Sequence, residues 1–190
     1  MTTPALSILI PSIPSRLTRF SIPLFEKLQA QAAGHPAEIL MLTDNKARSV
    51  GHKRNALLAA ARGAYVAFCD DDDEVADDYI AALGEATQLD VDVITFQQRV
   101  IVNGAEGIVH FGLRNPDEPF KPGAITLRRP WHPCAWRRSL VRDCIFTDKM
   151  FGEDADWVAQ AAPLGETEHH IPRILQTYRY SSTISEAPAS

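Results

Sequence analysis

An acidic run, DDDDE from Asp70 to Glu74, directly follows the apolar stretch AYVAFC and is the strongest chemical signal in the chain. Five neighbouring carboxylates repel one another, so their pKa values must rise, the loop must stay in water, or a cation must bind. Mg²⁺ and Mn²⁺ prefer carboxylate oxygens and the phosphates of substrates. The run therefore predicts a divalent-metal site after a strand; the alternative is a solvated acidic turn that caps the next helix.

Two other metal motifs fit this run less well. An EF-hand loop that begins at Asp70 needs glycine at its sixth position and glutamate at its twelfth, where the chain has Val75 and Ala81. The DDxxD box of prenyl synthases belongs on a helix of an all-helical protein, whereas this run follows a predicted strand. The position of the run therefore favours a metal site in an α/β protein.

A basic pair, Lys53-Arg54, opens a predicted helix that extends to Arg62. Because the amino terminus of a helix favours anions, this pair is a candidate contact for a diphosphate. The alternative is a solvated basic pair. The pair precedes the acidic run by one helix and one strand, so cations and carboxylates are predicted near the same ligand.

Short apolar strands alternate with helices around these residues. Strands are predicted at Leu6 to Ile10, Glu38 to Leu42 and Ala64 to Cys69, with helices after each of them. This order predicts an α/β fold with a mostly parallel central sheet flanked by helices. Ligands bind beyond the carboxyl ends of such strands, so the loops Pro11 to Arg16, Asp44 to Arg54 and Asp70 to Glu74 are predicted to form one site.

The remaining elements are predicted with less regular patterns. The helical spacing from Leu17 to Leu28 contains Pro23, so that helix either starts near the proline or kinks at it. Asp77 and Asp78 are candidate caps for a helix over Tyr79 to Ala86. The second half is predicted to contain strands at 93–102, 108–111 and 174–180, a loop at 114–133, a helix at 154–162 and a loose tail after Ser181.

Composition places the chain among ordinary globular proteins. It has 190 residues, 45% hydrophobic and 23% charged, which predicts one domain over residues 1–190. No apolar run reaches the roughly 18 residues of a membrane span, and the start of the chain is predicted to be a strand rather than a signal peptide. A net charge of −5 argues against broad binding to nucleic acid. The three cysteines are odd in number and lack the spacing of metal ligands. We therefore expect reduced thiols, which are typical of a cytoplasmic protein.

The segment VGHKRNALLAAARGAYVAFCDDDD, from Val50 to Asp73, closely resembles the inverting family 2 glycosyltransferases of the GT-A fold. Arg54-Asn55, an Ala-x-Gly turn, a tyrosine-containing strand and the acidic run occur in the order typical of that family. FGEDADW, from Phe151, resembles the Glu-Asp motif that contributes the catalytic base. The resemblance implies a nucleotide-sugar and metal half over about 1–100 and an acceptor half over about 101–190.

This resemblance implies metal-dependent transfer of a sugar, of hexosyltransferase type, from a nucleotide diphosphate donor to a hydroxyl. A UDP-sugar is the favoured donor, and Mn²⁺ or Mg²⁺ is the implied metal. Asp154 becomes the general base, oriented by Glu153, although acidic residues are also common in the first turn of a helix. The implied metal ligands are Asp72, Asp73 and Asp70, and the implied donor-binding residues are Pro11, Ser12, Arg16, Asp44, Lys53, Arg54, Asp70 and Asp71.

Several further residues have open alternatives. His169 or His170 is either a metal or diphosphate contact or a structural residue, and Trp131, Trp136 and Trp157 either line an acceptor pocket or belong to the core. Arginines concentrate at 128, 129, 137, 138 and 142. They form either a solvated basic face or a surface for a polyanionic acceptor, which includes nucleic acid with a hydroxylated base.

Three other function classes compete with the glycosyltransferase. A nucleotidyltransferase of similar fold needs a glycine-rich loop after the first strand, and PSIPSR from Pro11 to Arg16 has no glycine. A non-catalytic nucleotide-sugar-binding module would not require the Glu153-Asp154 pair. A nucleic-acid-binding domain without chemistry is disfavoured by the acidic pI of about 5.6.

Overall fold

The computed structural model describes residues 3–181, and within them the strands form one curled sheet. The strands are β1 Leu6–Ser12, β2 Ala37–Thr43, β3 Tyr65–Phe68, β4 Glu74–Val75, β5 Val93–Val102, β6 Ala105–Phe111, β7 Ile125–Arg128, β8 Ala135–Arg137 and β9 Glu168–Tyr180. The helices are α1 Ile22–Ala32, α2 Val50–Ala60, α3 Tyr79–Ala86, α4 Arg138–Val141 and α5 Glu153–Ala161. The main strand order is β2-β1-β3-β8-β5-β6-β7, and β9 pairs with β4 and β5.

Parallel pairing holds the first half of the sheet together. β1 pairs in parallel with β2 on one edge and with β3 on the other, and all seven of its residues are buried, as its apolar sequence predicts. Antiparallel pairs arise where strands of the second half join, at β3–β8, β4–β9, β5–β6 and β5–β8. The α/β fold is therefore confirmed, and the sheet is mixed because the second half adds antiparallel strands.

Helices cover both faces of the central strands. Side chains of β1 alternate between two cores, so that Ile8 and Ile10 pack with α1 and α3 while Leu9 packs with α2 and α5. Trp157 of α5 is fully buried in the second core, where it stacks on Phe146 with ring centroids 5.1 Å apart. This packing fixes α2 and α5 side by side, and both helices carry predicted site residues.

The turn between α2 and β3 requires glycine at position 63. The Gly63 N–H donates to Ser7 Oγ at 2.8 Å, and a Cβ atom at Gly63 would lie 2.6 Å from the Ser7 backbone nitrogen. Only a residue without a side chain allows that approach. The turn thereby fixes the start of the strand that leads into the acidic run.

The structure decides between the two predicted forms of α1. A 3₁₀ turn at Pro14–Arg16 and a π turn at Leu17–Ser21 precede the helix, which begins at Ile22. Pro23 therefore lies in the first turn, where the missing N–H breaks no helical hydrogen bond. Of the two outcomes that the sequence allowed, a start near the proline is the one observed.

Other local predictions differ in part from the structure. Asp78 occupies the N-cap position of α3, but its side chain makes no cap hydrogen bond and instead pairs with Arg173 at 2.8 Å, while Asp77 pairs with Lys27 at 2.6 Å. The predicted loop at 114–133 contains the strand β7. The last strand, predicted at 174–180, is longer: β9 begins at Glu168, and its pairing with β5 continues across a bulge. The predicted tail after Ser181 lies outside the described residues. Across residues 3–181, no helix combines the length and the apolar character that crossing a bilayer requires.

Candidate active site

A cleft of about 480 Å³ opens where β1 and β3 end. All but one of the predicted site residues line it: Pro11, Ser12, Arg16, Lys53, Arg54, Asp70, Asp71, Asp72, Asp73, Glu153 and Asp154. The exception is Asp44, which follows β2 and lies 3.4 Å from Lys53 Nζ, outside the lining. The sheet therefore brings the predicted donor, metal and base residues to one place.

Lys53 is one turn farther into its helix than the sequence predicts. α2 begins at Val50, and the Ser49 side chain caps it by accepting the His52 N–H at 3.0 Å. The buried Lys53 ammonium donates to the Ser12 carbonyl oxygen at 2.9 Å. Its contacts with Ser12 and Asp44 connect the ends of β1 and β2 beneath the cleft.

Arg54 joins the acidic run to the Glu-Asp pair. Its Nη2 lies 2.7 Å from Asp70 Oδ1, and its Nε lies 3.1 Å from Glu153 Oε1. Burial lowers the pKa of this guanidinium, but the neighbouring carboxylates, Asp70 above all, raise it by more. The side chain is only 3% exposed, so Arg54 is an internal cation that fixes carboxylates from two distant segments.

Arg16 neutralises the middle of the acidic run. It contacts Asp71 Oδ1 at 2.8 Å and Asp72 Oδ2 at 3.0 Å, and Ser21 Oγ donates to Asp71 Oδ2 at 3.1 Å. Burial, together with the adjacent carboxylates Asp70 and Asp71, raises the pKa of Asp72 to about 6 even though Arg16 lowers it. Asp72 is therefore a carboxylate that an additional cation would stabilise.

Asp73 faces the second half of the chain. Gln176 Nε2 donates to Asp73 Oδ2 at 2.6 Å, and Gln98 Nε2 donates in turn to Gln176 Oε1 at 2.9 Å. Burial is the main cause that raises the pKa of Asp73 well above its usual value, and the charge of Asp70 adds to it. Asp73 Oδ1 is buried without a hydrogen-bond partner among the described residues, so it remains able to accept a ligand.

Glu153 and Asp154 differ in environment although they are adjacent in sequence. Glu153 is buried against Arg54, and burial raises its pKa above the usual value. Asp154 is partly exposed to the cleft, and its Oδ1 accepts the Ala155 N–H at 2.9 Å. Gly152, not a side chain of this pair, occupies the cap position of α5. Asp154 is thus the carboxylate of the pair that a ligand in the cleft can reach.

His132 was not predicted from the sequence as a site residue. Its ring is buried between the carboxylates of Asp70 and Asp154. Its Nε2 lies 3.9 Å from Asp70 Oδ2, and its Nδ1 lies 3.9 Å from Asp154 Oδ2. Asp70 has a pKa well below its usual value, because the charges of Arg54 and His132 outweigh its burial. His132 lies within the predicted loop at 114–133, and nothing in the spacing of its neighbours distinguishes it from a core histidine.

Part of the cleft lining is apolar and aromatic. This part includes Val109 and Phe111 of β6, Phe120, Trp131 and Tyr178. Met150 and Phe151, which precede the Glu-Asp pair in the sequence, have exposed side chains that also line the cleft. Trp131 is therefore the cleft residue among the three tryptophans, while Trp136 and Trp157 are core residues.

The arginine-rich segment does not form a single basic face. Arg137 contacts Asp90 at 2.7 Å, Arg129 contacts Asp117 at 2.7 Å, and Arg142 lies 3.5 Å from Asp143. Arg138 donates to the Gly63 carbonyl at 2.8 Å, and Arg128 lies over the Trp131 ring at 5.3 Å. Carboxylates therefore pair with three of the five arginines, whereas Arg138 and Arg128 contact a carbonyl oxygen and an aromatic ring.

The two histidines of β9 do not belong to the cleft lining. His170 Nδ1 lies 3.0 Å from Thr95 Oγ1, and its ring stacks on His110 with centroids 4.0 Å apart. Neither His169 nor His170 is among the residues that line the cleft. Within residues 3–181, no set of three or more Asp, Glu, His or Cys side chains is arranged to hold a metal by itself.

Comparisons with known proteins agree with this architecture. The structure superposes on S. aureus TarS 1–349 in complex with UDP-GlcNAc with a TM-score of 0.64 at 14% identity, covering 96% of this chain and 61% of that one. The complex of the same TarS fragment with UDP gives a TM-score of 0.64 at 15% identity, with 93% and 61% covered. For the longer TarS structure the TM-score is 0.63 at 13% identity, with 93% and 37% covered.

The chain thus spans less than two thirds of the TarS proteins, and identities this low establish a shared fold alone. No curated protein matches the sequence significantly. The family model described as glycosyl transferase family 2 matches residues 25–146, which is more than half of the chain and includes α2, β3 and the acidic run. The chain therefore belongs to glycosyl transferase family 2.

Proposed function

We propose that residues 1–190 act as one domain that transfers a sugar from a nucleotide diphosphate donor, favoured to be a UDP-sugar, to an acceptor hydroxyl with inversion. Residues 1–100 would bind the donor, and residues 101–190 would bind the acceptor. The observation that carries the proposal is the cleft in which Asp154 and the acidic run face one ligand space. The UDP-GlcNAc complex of the structurally similar TarS supports a UDP-sugar as the donor.

The proposed reaction is a displacement at the anomeric carbon. The acceptor oxygen forms a bond to that carbon as the bond between the carbon and the diphosphate oxygen breaks. The electron pair of the broken bond leaves with the nucleoside diphosphate, and the acceptor proton passes to Asp154. A partly exposed carboxylate can take this role because a general base must reach the acceptor hydroxyl directly.

The residues at the acidic run fit a divalent cation that shares its coordination with the donor. Asp72 and Asp73 would hold it, since Asp72 has a raised pKa and Asp73 Oδ1 lacks a partner among the described residues. Because residues 3–181 contain no complete three-ligand set, phosphate oxygens of the donor and water would have to supply the other ligands, as they do for Mg²⁺ at many substrate sites. When bound, the metal would neutralise charge that develops on the leaving diphosphate.

Donor contacts are proposed at the ends of β1 and β3. Pro11 and Ser12 would contact the nucleobase, and Asp70 would contact the ribose or a metal-bound water. Ser12 Oγ already lies 2.7 Å from Ser21 Oγ, in the same hydrogen-bonded group as Asp71. Arg16 would contact the diphosphate, and this contact would replace its ion pair with Asp72.

A thermal-shift series tests the donor site. UDP with Mn²⁺ at about 100 times its Kd is expected to stabilise the protein by about 2.7 kcal/mol, or several degrees at this chain length. GDP, TDP and CDP, and UDP without Mn²⁺, are expected to give smaller shifts. Asp72→Ala should abolish the metal-dependent part, whereas Asp143→Ala, whose side chain is 91% exposed, should retain it. No shift with any nucleotide would contradict the proposal, and a shift without sugar transfer would indicate a binding module.

The acceptor is proposed to carry its hydroxyl on an apolar or aromatic body. The Trp131 ring and the exposed Phe151 line the cleft with a wall of valine and phenylalanine side chains. Apolar surface of this kind binds ligands by burial, while Asp154 would fix the hydroxyl. This wall argues for such an acceptor over a highly charged one.

An acceptor panel tests that class. Transfer to 4-nitrophenyl and octyl glycosides is expected to have a lower KM than transfer to the free monosaccharides. Phe151→Ala should raise the KM for the apolar acceptors about tenfold, since it removes roughly 1.4 kcal/mol of burial. The control Leu89→Ala removes a side chain that is 54% exposed and outside the cleft lining, and it should leave this KM unchanged. Equal use of free and apolar-substituted sugars would contradict this acceptor class.

A further inference from the structure

His132 occupies a position between the donor and acceptor sides of the cleft. One ring nitrogen faces Asp70, which follows β3, and the other faces Asp154 on α5, each at 3.9 Å. The residue is 8% exposed, and its Nδ1 has no hydrogen-bond partner among the described residues. A buried, unpartnered ring nitrogen that faces a carboxylate calls for a functional explanation.

The backbone around His132 is held firmly in place. Its carbonyl oxygen accepts the Phe68 N–H at 3.0 Å, and Phe68 lies two residues before Asp70. The preceding carbonyl, of Trp131, accepts the Cys134 N–H at 3.0 Å and the Trp136 indole N–H at 3.3 Å. The ring also packs edge-on against Phe68 with centroids 6.2 Å apart. β3 therefore positions both the histidine ring and the carboxylate that it faces.

Arg54 also connects the loop after β3 with the start of α5. Its guanidinium holds Asp70 directly and holds Glu153, the neighbour of Asp154. His132 closes the arrangement on the cleft side, where Asp154 Oδ2 faces the ring. Carboxylates only accept hydrogen bonds, so a ring nitrogen serves the carboxylate facing it by donating an N–H, and a ring that carries a proton on both nitrogens can donate to both carboxylates.

We propose that His132 is a positioning residue, whose Nδ1 orients the Asp154 carboxylate toward the acceptor hydroxyl and whose Nε2 engages Asp70 at the donor. The inference rests on the proposed function. Both distances are longer than a direct hydrogen bond, and catalytic hydrogen bonds in ligand-free sites often shorten when substrates bind. Closure of the two contacts would couple the donor carboxylate to the base.

Three substitutions separate the two nitrogens. The side-chain amide nitrogen of asparagine reaches about the place of histidine Nδ1, and that of glutamine reaches about the place of Nε2. His132→Asn should therefore retain the contact to Asp154, and His132→Gln should retain the contact to Asp70. His132→Phe keeps a ring against Phe68 and removes both nitrogens, so it controls for packing.

UDP-glucose and UDP-N-acetylglucosamine with Mn²⁺ serve as probes, with water as the acceptor and UDP release as the rate. We expect His132→Phe to lose about 10²-fold in kcat, as for a misplaced catalytic group, and His132→Asn to stay within tenfold of wild type. His132→Gln should lose kcat as His132→Phe does but keep the wild-type Kd for UDP in a thermal titration. His132→Phe should weaken that Kd.

Particular outcomes would overturn the role of His132. A wild-type kcat in His132→Phe would overturn it. Equal losses of kcat in all three variants, in proportion to their losses of Tm, would also overturn it, because they would reflect lower stability alone. Wild-type protein that binds UDP but releases no UDP from either probe, and transfers no sugar in the acceptor panel, would overturn the proposed function itself. Wild-type turnover with unchanged His132 variants would overturn the positioning role alone.

Discussion

Replacement of Asp154 by asparagine is expected to reduce kcat by about 10²–10⁴-fold, the usual contribution of a general base. Asparagine keeps the size of the side chain and can still accept the Ala155 N–H, but it cannot take the acceptor proton. The Kd for UDP should remain within about twofold, because Asp154 belongs to the half that we propose binds the acceptor. Steady-state kinetics with UDP-glucose, together with a UDP titration, measure both quantities.

Asp156→Asn provides the matched control on the same helix. Asp156 Oδ2 accepts from Thr147 Oγ1 at 2.7 Å and Lys149 Nζ at 2.6 Å and does not line the cleft. Asparagine retains an oxygen acceptor there, so kcat should be unchanged. Equal kcat values for Asp154→Asn and wild type would remove Asp154 as the base and direct attention to another group near the acceptor.

Arg54→Met is expected to lower the free energy of unfolding by about 3–5 kcal/mol, since it leaves buried carboxylates without their cation. Arg54 is 3% exposed in its side chain and contacts both Asp70 and Glu153. At this chain length the loss corresponds to a fall of roughly 6–20 °C in Tm. Calorimetry or denaturant unfolding measures the change.

Two further variants show whether unpaired charge is the cause. Arg62→Met removes an arginine that is 69% exposed and paired with Glu38 at 2.8 Å, so its cost should be at most about 1 kcal/mol. The double variant Arg54→Met with Glu153→Gln should be more stable than Arg54→Met alone, because it removes one orphaned charge. A cost for Arg54→Met no larger than that for Arg62→Met would show that the Arg54 pairs add little stability.

The first half of the fold was easier to predict from the sequence than the second half. Apolar strands such as β1 are buried on both faces, and their local pattern is a direct consequence of that burial. The acidic run, the Ala-x-Gly turn and the Arg54 helix lie close together along the chain, so their order indicates their shared edge. Apart from the local β5–β6 pair, the second half pairs over longer separations, and β7 and the bulge of β9 follow from partners that no local pattern specifies.

The contacts that each of the four aspartates makes were not predictable from the acidic run itself. Consecutive carboxylates looked equivalent as metal ligands, but each is set by a partner from elsewhere in the chain. Asp71 contacts Arg16, Asp70 contacts Arg54, and Asp73 contacts Gln176. Burial raises the pKa of Asp72 and Asp73, whereas the charges of Arg54 and His132 outweigh burial and lower the pKa of Asp70, so the difference is a tertiary effect.

By itself, the sequence determined the fold class, the family resemblance and the edge of the sheet where the chemistry is placed, because these depend on local patterns and motif order. Only the tertiary structure decided which charges meet. Arg54 and Glu153 are 99 positions apart in the chain, and Asp73 and Gln176 are 103 apart. His132 reaches the site for the same reason, since strand pairing and helix packing bring residues that are distant in the chain close together.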